Sequence, residues 1–365
     1  MQLYESRMIK MSRFLNENLK SLESYTPGEQ PRDKKYIKLN TNESPYPPSP
    51  EVIQAVSSDE VSDLRLYSDP TAKRLKEKIA KRYDVTPENV FVSNGSDESL
   101  NFFFMAFCSK ENKVIFPEIS YGFYKVFCDL YGISYEQIPL TDDFSINVDD
   151  YINVNKHIVI ANPNAPTGLA LSTCEIEKIV KSNPDNLVLI DEAYVDFGAE
   201  SVIPLTKKHD NLVVVQTFSK SRSLAGARLG FAIGNKEIIE DLEKIKYSTN
   251  PYNINRLTLL AGSAAIDSDS YFIENCEKII KTREYTEREL KKLGFYSIPS
   301  SANFIFAKSD KIGGEKLYEM LKEKGVLVRH FTKSEICEFN RITIGTQEEM
   351  QIFIEKVKEC LNENS

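Results

Sequence analysis

Between residues 157 and 220 an apolar run of strand length breaks off three times, each time into polar side chains capable of chemistry. Residues 157–161, His-Ile-Val-Ile-Ala, end in Asn162-Pro-Asn-Ala-Pro-Thr-Gly168, and residues 186–190, Asn-Leu-Val-Leu-Ile, end in Asp191-Glu-Ala-Tyr194. Residues 212–217, Leu-Val-Val-Val-Gln-Thr, lead to Ser219 and Lys220. Helical patterns separate such runs. Leu75, Ile79 and Tyr83 fall on one helical face, for example, and a strand follows at residues 90–92. Strands alternating with helices from about residue 36 to 255 predict an α/β fold whose mostly parallel sheet is covered by helices. Ligands of open α/β sheets bind beyond the carboxyl ends of the strands, which is where Lys220 falls.

Thr217 and Ser219 place hydroxyls on the turn that carries Lys220, and Arg228 follows with glycines at 226 and 230 that admit close backbone. A lysine, hydroxyls and an arginine together suit a phosphorylated aldehyde. The amine condenses with the aldehyde once it loses its proton, and burial and a neighbouring cation favour that loss. The other reading is a solvated lysine beside a surface arginine. An aspartate such as Asp191, held at a pyridine nitrogen, keeps that nitrogen protonated and makes the ring an electron sink, the pairing used by pyridoxal phosphate (PLP) enzymes. As an alternative, Asp191 caps a helix. Tyr194 has the reach for the phenolic oxygen of such a ring. Two prolines and Gly168 stiffen the loop after residue 161, so that Asn164 points into a site, or the loop is an ordinary strand-to-helix turn. A fourth ending, residues 90–100, passes through Gly95 into a helix start at Ser96 and Asp97, where free amides bind phosphate or the turn is a plain cap.

In their order and spacing, Asn162-Pro-Asn-Ala-Pro-Thr-Gly168, Asp191-Glu-Ala-Tyr194 and Ser219-Lys220 with Arg228 resemble the fold type I PLP-dependent aminotransferases. Within them the chain resembles the class II-like histidinol-phosphate aminotransferases over nearly its full length. That narrower likeness rests on Tyr25-Thr-Pro-Gly28, Leu39-Asn-Thr-Asn42-Glu-Ser-Pro45, Gly325-Val-Leu-Val-Arg329 and Arg341-Ile-Thr-Ile-Gly345-Thr346. The resemblance implies a large PLP-binding domain, a smaller α+β domain and an N-terminal arm. It also implies that Lys220 carries PLP as an internal aldimine, Asp191 pairs with the ring nitrogen, Tyr194 contacts the phenolic oxygen and Tyr121 stacks on the ring. Ser96 and Asp97, Thr217, Ser219 and Arg228 belong to the phosphate side of the site, and Tyr67 reaches the phosphate from the partner subunit of a homodimer. Tyr25, Asn42, Arg329 and Arg341 are then substrate-binding residues, Arg341 for a carboxylate and Arg329 for a phosphate. A structural salt bridge is the competing reading for each arginine. Relatives usually carry asparagine where this chain has Ala165, and Asn164 is expected to take over its bond to the phenolic oxygen or to leave it unmade.

The remainder bounds the function. With 365 residues, about two domains are expected, divided as an arm at 1–35, a large domain at 36–255 and a small domain at 256–365. The arm shows a short amphipathic stretch around Phe14, Leu15, Leu19 and Leu22, and Met11 is a possible initiator. The last part reads as a long charged helix at about residues 271–293, short strands and a closing helix with Met350, Phe353, Val357 and Leu361 on one face. A net charge of −8 opposes a nucleic-acid surface. Six cysteines without regular spacing and three histidines indicate neither a disulfide framework nor a metal site. The absence of a continuous apolar stretch predicts no membrane contact and a cytoplasmic location. The expected reaction is ping-pong transamination between histidinol phosphate and 2-oxoglutarate, giving imidazole acetol phosphate and glutamate. The rivals are an aromatic aminotransferase, a PLP-dependent decarboxylase of an amino-acid phosphate and a PLP-sensing regulator without catalysis.

Overall fold

The computed structural model describes residues 12, 14–16, 19–56 and 58–364; Met11 lies outside them. Twelve strands are present among these residues: β1 (Ile37–Leu39), β2 (Val90–Ser93), β3 (Val114–Pro117), β4 (Tyr135–Ile138), β5 (His157–Ala161), β6 (Val188–Asp191), β7 (Leu212–Thr217), β8 (Gly230–Ile233), β9 (Phe295–Ile298), β10 (Phe304–Ser309), β11 (Val326–His330) and β12 (Asn340–Thr343). Seven form one sheet in the order β2-β8-β7-β6-β5-β3-β4. Strands β7, β6, β5, β3 and β4 run parallel, and β8 is antiparallel to both of its neighbours.

The apolar runs are continuous because both faces of this sheet are covered. Ile158, Ile160, Val188, Ile190, Leu212 and Val214 face one core, which the helices Lys73–Tyr83, Thr173–Ser182 and Arg256–Asp267 complete. The intervening Val159, Ala161, Leu189, Val213 and Val215 face the other, beneath the helices Ser96–Phe107, Phe123–Tyr131 and Lys236–Thr249. Each fully buried side chain of this kind contributes about 1.5–3 kcal/mol by leaving water. Parallel strands also bring the carboxyl ends of β5, β6 and β7 to one edge, where the polar endings gather.

A second core lies against a five-stranded sheet of order β1-β11-β12-β10-β9, under the helices Asp269–Lys292 and Gln347–Asn364. The packing does not follow the divisions expected after residues 35 and 255. Strand β1 pairs with β11 and buries Leu39 in the second core, whereas the helix Arg256–Asp267 packs Ala261, Ala265 and Ile266 into the first. Sequence pattern identifies these elements but not their partners, because both pairings join distant parts of the chain. In the arm, Leu15 N–H donates to Ser12 O and Leu22 N–H to Leu19 O, and the Phe14 side chain is exposed. From Thr26 onward the arm is tied to the second sheet by Arg329, which donates to Thr26 O and Pro27 O, and Asn40 Nδ2 donates to Glu29 O.

Candidate active site

Lys220 lies three residues past β7, with its Nζ donating to Thr41 O at 3.0 Å and 5.7 Å from the centre of the Tyr194 ring. Burial of the amine, helped by the nearby Arg341 guanidinium, draws its pKa down to about 8 against the weaker opposing pull of Glu43 and Asp97. An amine with that pKa is poised to act as a nucleophile near neutral pH. Thr217 Oγ1 accepts from Ser219 N–H at 3.1 Å and lies 3.0 Å from Ser219 Oγ, so Thr217 shapes the turn that presents its neighbours.

Asp191 closes β6 and is buried. Burial pushes its carboxyl up to about 6, and two donors pull the other way: Tyr124 Oη at 2.9 Å on Oδ2, and Ala193 N–H at 3.2 Å on Oδ1. Tyr194 is held by Asn42, whose Nδ2 donates to its hydroxyl at 3.0 Å, and Asn42 Oδ1 in turn accepts from Thr343 Oγ1 at 2.9 Å. The side chain of Asn42, expected to face substrate, is thus occupied in orienting Tyr194.

Asn164, expected to reach the phenolic oxygen, is engaged elsewhere. Its Oδ1 accepts from Ser120 Oγ at 2.8 Å, and its Nδ2 donates to Ile119 O at 2.9 Å and Thr167 Oγ1 at 3.3 Å. A buried amide satisfied on both atoms, by residues 119 and 120 of a neighbouring loop and by Thr167 of its own, does not replace the asparagine missing at position 165. Ala165 itself is buried in an apolar cluster with Ala302 and Phe304 against Tyr194.

At the start of the helix Ser96–Phe107, the cap is Gly95 with φ +79°, which offers no side chain to the first amides. A Cβ on Gly95 would come within 2.6 Å of Arg228 Nη2, and one on Gly230 within 2.4 Å of Ser96 N. The two glycines therefore let β8 and the arginine close onto the helix start. Arg228 Nη2 reaches Asp97 Oδ2 at 2.9 Å, and Tyr121 Oη donates to Asp97 Oδ1 at 2.8 Å. Tyr25 stacks on Phe123 at 4.3 Å between ring centres and meets Tyr121 edge-on at 6.0 Å. Tyr67 stands apart from this cluster within one chain: it is 80% exposed and stacks on Tyr252 at 4.4 Å.

Arg341 and Arg329 are direct cross-strand partners on β12 and β11. Arg341 Nη2 donates to Asn40 O at 3.1 Å, its Nε is buried without a partner, and its guanidinium lies 5.4 Å from the Phe304 ring and 5.9 Å from that of Phe331. No ion pair joins either arginine to a carboxylate among the described residues. Like charges directly opposite on neighbouring strands destabilise a sheet, and a buried donor without an acceptor adds a further cost. Both are relieved by an anion, so the structural salt bridge considered for these residues is not what they form.

Residues 34–357 match the family described as aminotransferase class I and II. The chain belongs to this family. It is 55% identical over 349 residues to a histidinol-phosphate aminotransferase of Brachyspira hyodysenteriae, covering 95% of this chain and 99% of the other. To its counterpart in Clostridium beijerinckii it is 48% identical, covering 97% and 99%. The solved histidinol-phosphate aminotransferase of Sinorhizobium meliloti, in complex with pyridoxal 5′-phosphate, shares the fold with a TM-score of 0.88 at 21% identity, covering 98% of this chain and all of that one. The family's cofactor is PLP, and the residues present fit it. They supply a lysine with a lowered pKa, a buried carboxylate 29 residues before it in sequence, and a glycine-lined cradle of free amides beside Arg228. Sequence reasoning missed Tyr124 and the orienting role of Asn42.

Proposed function

We propose that this aminotransferase transfers an amino group between histidinol phosphate and 2-oxoglutarate, yielding imidazole acetol phosphate and glutamate. The observation that carries the reading is the facing pair Arg329 and Arg341, two guanidinia that among the described residues have no carboxylate partner and leave one buried Nε unpaired. Histidinol phosphate has no carboxylate, so its phosphate is the anion that must be held. Two planar forks suit a dianion. In the second half of the reaction Arg341 takes the carboxylate of glutamate instead. An aromatic amino acid offers only a single negative charge to the pair.

When bound, PLP supplies a carbonyl that exchanges with amines and a ring that accepts the electron pair left by cleavage of the substrate Cα–H bond. The protein's contributions follow from position. Lys220 is the residue that would hold the cofactor and, once its amine is free, would move a proton between the substrate Cα and the cofactor C4′. Asp191 keeps the proton on the ring nitrogen. Tyr194, aligned by Asn42, donates to the phenolic oxygen, and with alanine at position 165 it is the chief donor there. Tyr121 would cover the ring, while Ser219, Arg228 and the amides of Ser96 and Asp97 would hold the cofactor phosphate. Tyr25, within electrostatic reach of both Arg329 and Arg341, closes the substrate side.

The working form in this reading is a cytoplasmic homodimer. Leu64, Leu66, Tyr67, Tyr247 and Tyr252 are large apolar side chains left exposed on one chain, and burial against a second copy carries Tyr67 to the partner's phosphate site. The test of substrate class is Arg329→Ala. We expect turnover of histidinol phosphate to fall by about tenfold to a hundredfold, the worth of a charge-assisted contact, with glutamate changed by less than about threefold. Equal losses for the two substrates would refute the assignment.

A further inference from the structure

The first turn of the helix Phe123–Tyr131 and the loop before it carry three hydroxyls, Ser120 and Tyr121 in the loop and Tyr124 in the helix, and each one is aimed at a different part of the site. Ser120 Oγ donates to Asn164, Tyr121 Oη to Asp97 and Tyr124 Oη to Asp191. Tyr124 differs from the other two in being wholly buried, with 0% of its surface exposed. Its ring is packed by Phe104, Phe116 and Tyr121, whose ring centres lie 6.4, 5.7 and 5.7 Å away. The packed ring has no freedom to turn its hydroxyl elsewhere, and the 2.9 Å bond to Asp191 Oδ2 is its hydrogen bond among the described residues.

For Asp191, Tyr124 supplies the only side-chain donor among the described residues, with Ala193 N–H on the other oxygen. Two fixed donors pin the rotamer of the carboxylate and favour its charged form over its neutral one. They do not exhaust it, because each carboxylate oxygen accepts more than one hydrogen bond. A cationic N–H arriving from the cofactor side therefore meets a carboxylate already charged and aimed. We propose that Tyr124 is a positioning residue that acts through Asp191 to set how tightly the site holds a protonated pyridine nitrogen. This rests on the cofactor reading above.

The test compares two ligands on the full-length protein freed of cofactor: PLP, and 1-deazapyridoxal 5′-phosphate, which has carbon in place of the ring nitrogen. Dissociation constants are measured by absorbance titration for wild type and Tyr124→Phe, whose ring still fills the aromatic cluster. The expected result is about a tenfold weaker PLP complex, as for loss of a hydrogen bond to a charged group, with the deaza analogue changed less than about twofold. Equal weakening of both ligands, or of neither, overturns the proposal. A 3,5-difluorotyrosine at position 124 keeps the shape and strengthens the donor, so it should move PLP affinity, and not that of the analogue, away from the wild-type value. No movement also overturns the proposal. In an Asp191→Asn background the Tyr124→Phe change should no longer affect PLP. Failure of the wild-type protein to bind either ligand would sink the cofactor reading itself, an outcome separate from all of these.

Discussion

At the scale of single residues, Lys220 shows most directly how position becomes chemistry. Its amine has no carboxylate partner among the described residues and is drawn down to about 8 by burial and by Arg341. Only the neutral amine attacks a carbonyl, and the neutral fraction grows as pH rises through the pKa. The rate at which cofactor-free protein takes up PLP covalently should therefore climb through about pH 8 and then level off. An ordinary lysine, with a pKa of about 10.4, would still be gaining at about pH 9.5. Stopped-flow absorbance across that range distinguishes the two. Lys220→Ala should show neither the absorbance of the covalent linkage nor turnover, and full activity in that variant would remove the lysine from the mechanism. Asn42 and Asn164 show the limit of reading residues one at a time. Both are asparagines in polar loops beside the site, yet one orients Tyr194 and the other ties its loop to residues 119 and 120. Which atoms an amide satisfies is decided by the fold around it, not by its place in a motif.

At the scale of elements, the site depends on two strands and a helix start meeting closer than side chains allow. Gly230 on β8 is the contact point, since a Cβ there would lie 2.4 Å from Ser96 N and 2.6 Å from Gly95 C. Both obstacles are backbone and give way only by moving the helix start proposed to hold the cofactor phosphate. Gly230→Ala should cost about 2 kcal/mol of stability or more and weaken PLP binding, measured by thermal unfolding and by cofactor titration. An unchanged PLP affinity would mean that the helix start is not the phosphate site. The seven-stranded sheet was legible in the sequence because its apolar runs are continuous and its helices periodic, and the ends of β5, β6 and β7 are where the motifs placed them. The second sheet was less legible. Only three residues of β1 join it, by pairing with β11 nearly three hundred positions later, and local pattern carries no information about such a partner. Tyr124 was hidden for a similar reason. On its helix it reads as one more buried aromatic, and the meaning of its hydroxyl depends on Asp191, 67 residues away.

At the scale of the whole molecule, the proposed site is shared by two chains and serves two substrates. If Tyr67 crosses to the partner, an inactive Lys220→Ala chain and a crippled Tyr67→Ala chain should complement when mixed and refolded together. Each mixed dimer then contains one site with both residues intact. Activity recovered over either parent, read in a standard transamination assay, is the expected outcome. The absence of any recovery would confine Tyr67 to its own chain. The central claim is that the facing guanidinia of Arg329 and Arg341 choose a phosphorylated amine and also accept glutamate. The most direct measurement is the half-reaction: PLP-loaded protein mixed separately with histidinol phosphate, glutamate and phenylalanine, while conversion of the cofactor to pyridoxamine phosphate is followed by absorbance. Rapid conversion by histidinol phosphate and glutamate, with phenylalanine much slower, is the predicted result, and conversion led by phenylalanine with histidinol phosphate inert would contradict it.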